Sequence, residues 1–116
     1  MQGNKYRNIK SEYNGVVYDS RKEMRRGVAL DLMVRAGIIK DLERQKKFIL
    51  QESFMTKQGE KIRAITYISD FYYFDNEKQH WVAEDVKSPA TRQDKVYCIK
   101  RKMFLYKYPE IEFLET

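Results

Sequence analysis

Apolar residues return every three to four positions between residues 20 and 36, then every second position in runs between 46 and 87. The first spacing is that of a helix with one buried side, and the second is that of strands. Ser20 precedes Glu23 by three residues, a capping-box pattern that opens the helix, and Gly37 stands where a left-handed residue closes it. At about 100° per residue, Arg21, Arg25, Asp31 and Arg35 share one side, while Glu23, Gly27, Leu30 and Val34 share another. Glu23 thus begins an otherwise apolar stripe that is expected to face inward.

Residues 1–18 are polar, basic and tyrosine-rich, with Lys5, Arg7 and Lys10 among Tyr6, Tyr13 and Tyr18. Asn14-Gly15 predicts a turn followed by a short extended Val16-Val17-Tyr18, and residues 1–12 are expected to form a mobile basic arm. Three strands are predicted after the helix, at 46–52, 61–74 and 80–87. Turns at Lys57-Gln58-Gly59-Glu60 and Asp75-Asn76-Glu77 separate them, and Ser88-Pro89 ends the third. A second helix is predicted over 91–107, with Thr91 as N-cap and Val96, Ile99, Met103 and Tyr106 as its apolar face. Pro109 follows it, and Ile111–Leu114 predicts a last strand. The order αβββαβ predicts an α/β fold, with residues 1–116 forming a single domain.

Composition narrows the class. The 116 residues can build one modest core, and 42% hydrophobic with 34% charged residues is a globular rather than a disordered mix. No apolar run approaches the ~18 residues of a membrane span, and the polar N-terminus predicts no secretory signal. Cys98 is the single cysteine, so no internal disulfide is expected and a reducing cytoplasm fits. The net charge of +6 suits a polyanionic partner. A basic surface that serves only solubility is the alternative, and charge does not separate a binder from an enzyme.

The candidate chemistry lies in the second and third strands, which a short turn should pair as an antiparallel hairpin. Asp70 interrupts the apolar run Tyr67–Phe74, on the same side as Ile68 and Tyr72 by alternation; Asp85 and Lys87 share a face, with Val82, Glu84 and Val86 on the other. A carboxylate in such a strand is costly unless it is paired or binds a cation. Two carboxylates and a lysine converging there suit Mg²⁺, with Mn²⁺ able to substitute and a phosphate completing the shell. Such an ion would polarise a phosphodiester and activate water, with Lys87 orienting that water or stabilising charge. Each residue has a plainer role open to it: Asp70 on a solvated edge, Asp85 and Lys87 as a surface ion pair, Glu23 as a helix cap. Lys95 and Lys102, seven apart on the second helix with Arg92 ahead of them, could track a phosphate backbone or simply face solvent. His80 is expected at a strand end and Cys98 in the core, so neither a zinc site nor a thiol nucleophile is expected.

The conjunction resembles the PD-(D/E)xK nuclease superfamily, whose αβββαβ core carries an acid on the first helix, Asp on the second strand and (D/E)xK on the third. Those positions here are Glu23, Asp70 and Asp85-Val86-Lys87, and the likeness spans roughly residues 18–115. More closely, Tyr18–Glu23, Leu42–Gln45, Ile68–Phe71, Glu84–Lys87 and Phe104–Pro109 are similar to a family of short phage proteins of unknown function. Those proteins are regarded as nucleases similar to Holliday-junction resolvases. Ser69 stands where the motif has proline. Asp85 stands where many members have Glu, and the adjacent Glu84 leaves a second register open, with Asp85 preferred because it is two residues before Lys87. The resemblance implies a restriction-endonuclease-like core with a mixed sheet flanked by helices. It implies a Mg²⁺-dependent DNA endonuclease acting on branched DNA in phage replication or recombination, in the host cytoplasm. Asp70, Asp85 and Glu23 would hold the metal, Lys87 would complete the catalytic set, and Gln45 would support it. Resolvases of this kind cut four-way junctions symmetrically, so a homodimer is implied. A non-catalytic nucleic-acid-binding module and a protein-interaction factor are the alternatives.

Overall fold

A computed structural model of the chain describes residues 10–116. Asn14 and Gly15 both adopt positive φ, 55° and 77°, and turn the chain between strands β1 (Ser11–Tyr13) and β2 (Val16–Tyr18). Ser11 and Glu12 of the expected arm therefore belong to a strand, and Lys10 lies 3.9 Å from Asp19. Lys5, Arg7 and the remainder of the arm lie outside the described residues.

Helix α1 (Arg21–Arg35) starts at Ser20, whose hydroxyl accepts from the Glu23 N–H at 3.1 Å, and Gly37 follows its end at φ +74°. Glu23, Gly27 and Leu30 are buried as the stripe predicts, but Val34, in the last turn of the helix, is 39% exposed. At Gly27 a Cβ would come within 2.6 Å of the Tyr18 hydroxyl, so only glycine lets β2 lie against this helix.

The main sheet has the order β3 (Ile39–Gln51), β6 (Ile65–Asp75), β7 (His80–Asp85), β8 (Glu112–Glu115). The first two pairings are antiparallel and β7–β8 is parallel. Strand β3 starts seven residues before the expected position 46. Its early half carries charges in adjacent pairs, Lys40-Asp41 and Glu43-Arg44, and Asp41 and Gln45 both take left-handed φ near 55°, which disrupts the pattern. The expected strand over 61–74 divides, because Lys61–Ile62 (β5) pairs back onto Phe54–Met55 (β4) as a separate hairpin. The third strand stops at Asp85, leaving Val86 and Lys87 beyond it.

Helix α3 (Lys95–Lys107) is capped by Asp94, which accepts from the Tyr97 N–H at 2.9 Å; Thr91 belongs instead to a single turn, α2 (Pro89–Arg92), capped by Ser88. The buried face of α3 also differs from expectation. Tyr97 and Phe104 point inward, while Val96, Ile99 and Tyr106 are 61%, 58% and 89% exposed. Aromatic rings bury more area than aliphatic side chains, and Phe104 gains Phe48, Tyr67, Tyr108 and Phe113 at centroid distances of 4.9–5.6 Å. Two cores result. Tyr18, Leu30, Ile39, Phe71, Tyr73 and Val82 pack under α1, and Phe48, Leu50, Tyr67, Ala83, Tyr97 and Phe104 pack under α3. The molecule is thus a mixed α/β fold with helices on both faces of a four-stranded mixed sheet, in the expected core order αβββαβ. No helix among the described residues is long and apolar enough to cross a membrane.

Candidate functional site

Strands β6 and β7 pair from Asp75 opposite His80 to Phe71 opposite Glu84, and there the ladder stops. The next residues in register are Asp70 and Asp85, and their side chains replace the lost backbone partners. Asp85 Oδ1 accepts from the Asp70 N–H at 3.0 Å, and Asp70 Oδ2 accepts from the Val86 N–H at 2.8 Å. The strands part at this fork. Alternation breaks here too: Tyr67 and Phe71, four apart, would share a face of a regular strand, yet they lie in cores on opposite sides of the sheet. Gln45, flanked by the pairs Arg44–Phe71 and Lys46–Ser69, takes its left-handed φ opposite Asp70.

Glu23, Asp70 and Lys87 line one cavity of about 370 Å³, together with Lys22 and Asp19. Asp85 does not line it. Its side chain is fully buried on the α3 side and takes a hydrogen bond from the Tyr67 hydroxyl. Glu84, the other acid of the ambiguous register, points to the α1 side. It accepts from Arg26 at 2.5 and 3.0 Å, from the Tyr73 hydroxyl at 2.7 Å and from Thr116 at 3.1 Å. Glu84 is therefore occupied by an ion pair across the sheet face.

The acids at the fork have weaker support. Burial pushes the carboxyls of Glu23, Asp70 and Asp85 above their ordinary range. The charge of Asp70 raises Glu23 further, while Arg44 opposes that rise. For Asp70 the Val86 N–H, Lys87 and Gln45 act in the lowering direction. Glu23 is more than a cap: its backbone N–H completes the Ser20 cap, while its side chain reaches Arg44 at 3.2 Å. The Lys87 ammonium lies 5.2 Å from the Tyr97 ring centroid, and the Lys87 carbonyl accepts from Lys22 Nζ at 3.1 Å.

Oxygen donors without thiolate or imidazole suit a hard cation such as Mg²⁺, which takes one or two carboxylates and keeps its remaining waters. Glu23 and Asp70 on the cavity wall meet that need. Among the described residues, no set of three or more His, Cys, Asp or Glu is arranged to hold a metal ion together. The three expected ligands are thus neighbours whose third member, Asp85, is turned to Tyr67.

Lys95, Lys102 and Arg92 are exposed, and none of them lines the cavity. Gln45 is exposed beside Asp70. His80 opens β7 as expected and pairs with Glu112 at 2.6 Å. Cys98 is half-buried rather than in either core, its thiol donating to the Arg92 carbonyl. Three contributors have no role in the sequence pattern: Asp19, which lines the cavity beside Glu23 and Asp70, Lys22 and Arg44. Lys22 was hidden because a wheel ranks side chains by burial and not by the end of the helix they flank. Arg44, whose guanidinium also stacks 4.2 Å from the Tyr18 ring, lies in the half of β3 that the pattern did not show.

Neither a curated protein nor a solved structure matches the chain. Residues 3–115 match DUF1064, a protein family of unknown function. That stretch holds every core element and all of Glu23, Asp70, Asp85 and Lys87, and the chain belongs to the DUF1064 family.

Proposed function

We propose that the chain is a Mg²⁺-dependent DNA endonuclease of PD-(D/E)xK type. The observation that carries this reading is the fork at Asp70, where a strand-borne aspartate, a lysine and a helix-borne glutamate line one cavity on a basic protein. Glu23 and Asp70 would hold the metal, and Asp85 would join them if released from Tyr67. A bound Mg²⁺ would supply charge neutralisation at the phosphate and a more acidic attacking water. Lys87 lines the same cavity and its charge acts on both Asp70 and Asp85; there it would orient the attacking water and offset charge gathering on the phosphoryl oxygens. Glu23, also on this lining, is held by Arg44. The preference for branched DNA, the homodimer and a place in the cytoplasm of a phage-infected cell rest on the likeness to resolvases.

The test is incubation of purified protein with four-way and linear DNA, with and without Mg²⁺ or Mn²⁺. Metal-dependent cutting is expected, lost in Asp70→Asn and Lys87→Ala while DNA binding persists. A folded protein that cuts no DNA with either metal overturns the enzymatic reading. Binding without cutting or any metal effect favours the second reading, a nucleic-acid-binding module, which the engagement of Asp85 with Tyr67 supports.

A further inference from the structure

The hairpin of β4 and β5 belongs to neither core nor to the main sheet. It is nevertheless well formed. Thr56 N–H donates to the Glu60 carbonyl at 2.8 Å, Gly59 N–H to the Thr56 carbonyl at 2.9 Å, and Glu60 N–H to the Thr56 hydroxyl at 3.0 Å. Gly59 supplies the φ of +93° that this tight tip requires. Phe54 is 48% and Met55 65% exposed, so order here is not explained by burial.

Phe54 opposes Ile62 and Met55 opposes Lys61, so each pair shares a face. Lys61 thus stands beside the exposed thioether of Met55 on one face of the hairpin, and Arg63 follows Lys61 by two residues, just past the end of β5. Lys61 and Arg63 are both exposed.

The hairpin also follows the arm that leads away from the fork. Pairing of β6 with β7 ends at Phe71, but β3 and β6 stay paired to Gln51 and Ile65, so a two-stranded arm runs on from the fork to the hairpin. At roughly 3.3 Å per residue, Ile65 lies ~17 Å and Lys61 at most ~30 Å along the strand from Asp70. We propose that the Met55–Lys61 face and the adjacent Arg63 dock on duplex DNA flanking the scissile phosphate. This rests on the DNA reading above. Lys61 and Arg63 meet phosphates, and Met55 packs against sugar and base edges in the groove. At about 3.4 Å per base pair, the docked face falls within roughly nine base pairs of the cut.

The experiment measures affinity of full-length protein for DNA with arms of about 20 base pairs, in EDTA, over a salt titration. The Lys61→Ala/Arg63→Ala variant should lower the slope of log K against log salt by about 1.8, because two phosphates are no longer neutralised. The Lys61→Arg/Arg63→Lys exchange should keep the parent slope. A parent that binds DNA and an Ala variant with the same slope overturn the hairpin docking and leave the nuclease reading standing. A parent that binds no DNA overturns both. Sedimentation equilibrium supplies the third outcome: if the Ala variant lowers oligomer mass and leaves the DNA slope of the parent, the face joins copies of the chain and the proposal fails.

Discussion

Glu84 and Asp85 are adjacent acids on one strand, both fully buried, and they face opposite sides of the sheet into different surroundings. Glu84 meets a bidentate guanidinium and two hydroxyls, so its charge has a dedicated counter-ion. Asp85 meets only uncharged donors, the Tyr67 hydroxyl and the Asp70 N–H, and shares its surroundings with a second aspartate. An acid with its own cation is complete as part of the scaffold. Asp70 and Asp85 share Lys87 only through space and hold no bonded cation of their own, which leaves room for a counter-charge that a ligand can bring. Under the proposed nuclease reading, this difference favours Asp85 over Glu84 as the acid that could be freed for a metal.

The comparison breaks most visibly on stability. Arg26→Met should lower the unfolding free energy in urea by about 3–5 kcal/mol, because it strands a buried charge. Asp70→Asn should do the reverse at neutral pH in EDTA and raise the midpoint, since it removes an uncompensated carboxylate while costing most of the cleavage. If both destabilise alike, the fork acids are as well satisfied as Glu84 and the contrast is empty.

Next in size is the pH effect. A carboxyl whose native pKa is raised binds its proton more tightly when folded, so its contribution is full below the unfolded pKa and is lost as pH rises through the folded one. Glu23, Asp70 and Asp85 all shift upward from ordinary values of 4.5 and 3.8. Melting temperature in EDTA should therefore fall as pH climbs from about 4 toward neutrality. Asp70→Asn should flatten that fall, and millimolar Mg²⁺ should oppose it in the parent only. A smaller effect belongs to Tyr67→Phe. Loss of one hydrogen bond to a buried carboxylate should cost about 1–3 kcal/mol of stability in EDTA. It should also tighten Mg²⁺ binding by calorimetry if Asp85 turns toward Asp70 once freed.

The core order and the central acids were readable because long strands and a capped helix leave periodic traces. The early half of β3 was not, since Asp41 and Gln45 leave the strand conformation and shift which residues face inward. The face of α3 was misplaced by weighing aliphatic spacing over Tyr97 and Phe104, whose rings had the larger area to bury. At the site, alternation brought Asp70 toward Asp85 correctly. It could not show that the ladder ends at that pair, so it missed the turn of Asp85 toward Tyr67 and away from the cavity.

The smallest effect separates the two lysines that share the cavity. Lys87 lies beyond the end of β7, with its N–H donating to the Thr116 carbonyl at 3.0 Å, so its backbone is fixed. Lys22 is exposed on the first turn of α1 and reaches the cavity through a flexible side chain that bonds the Lys87 carbonyl. A lysine whose charge acts on the fork acids, as that of Lys87 does on Asp70 and Asp85, can favour the transition state over bound DNA, whereas one bonded to a backbone carbonyl beside them attracts both alike. Lys22→Ala should therefore raise KM for DNA a few-fold with kcat nearly unchanged, and the loss should shrink with added salt as surface charge is screened. Lys87→Ala should lower kcat by about 10²-fold or more, at any salt. A kcat loss for Lys22→Ala as large as that for Lys87→Ala would make the two lysines one catalytic unit bridged by the carbonyl between them.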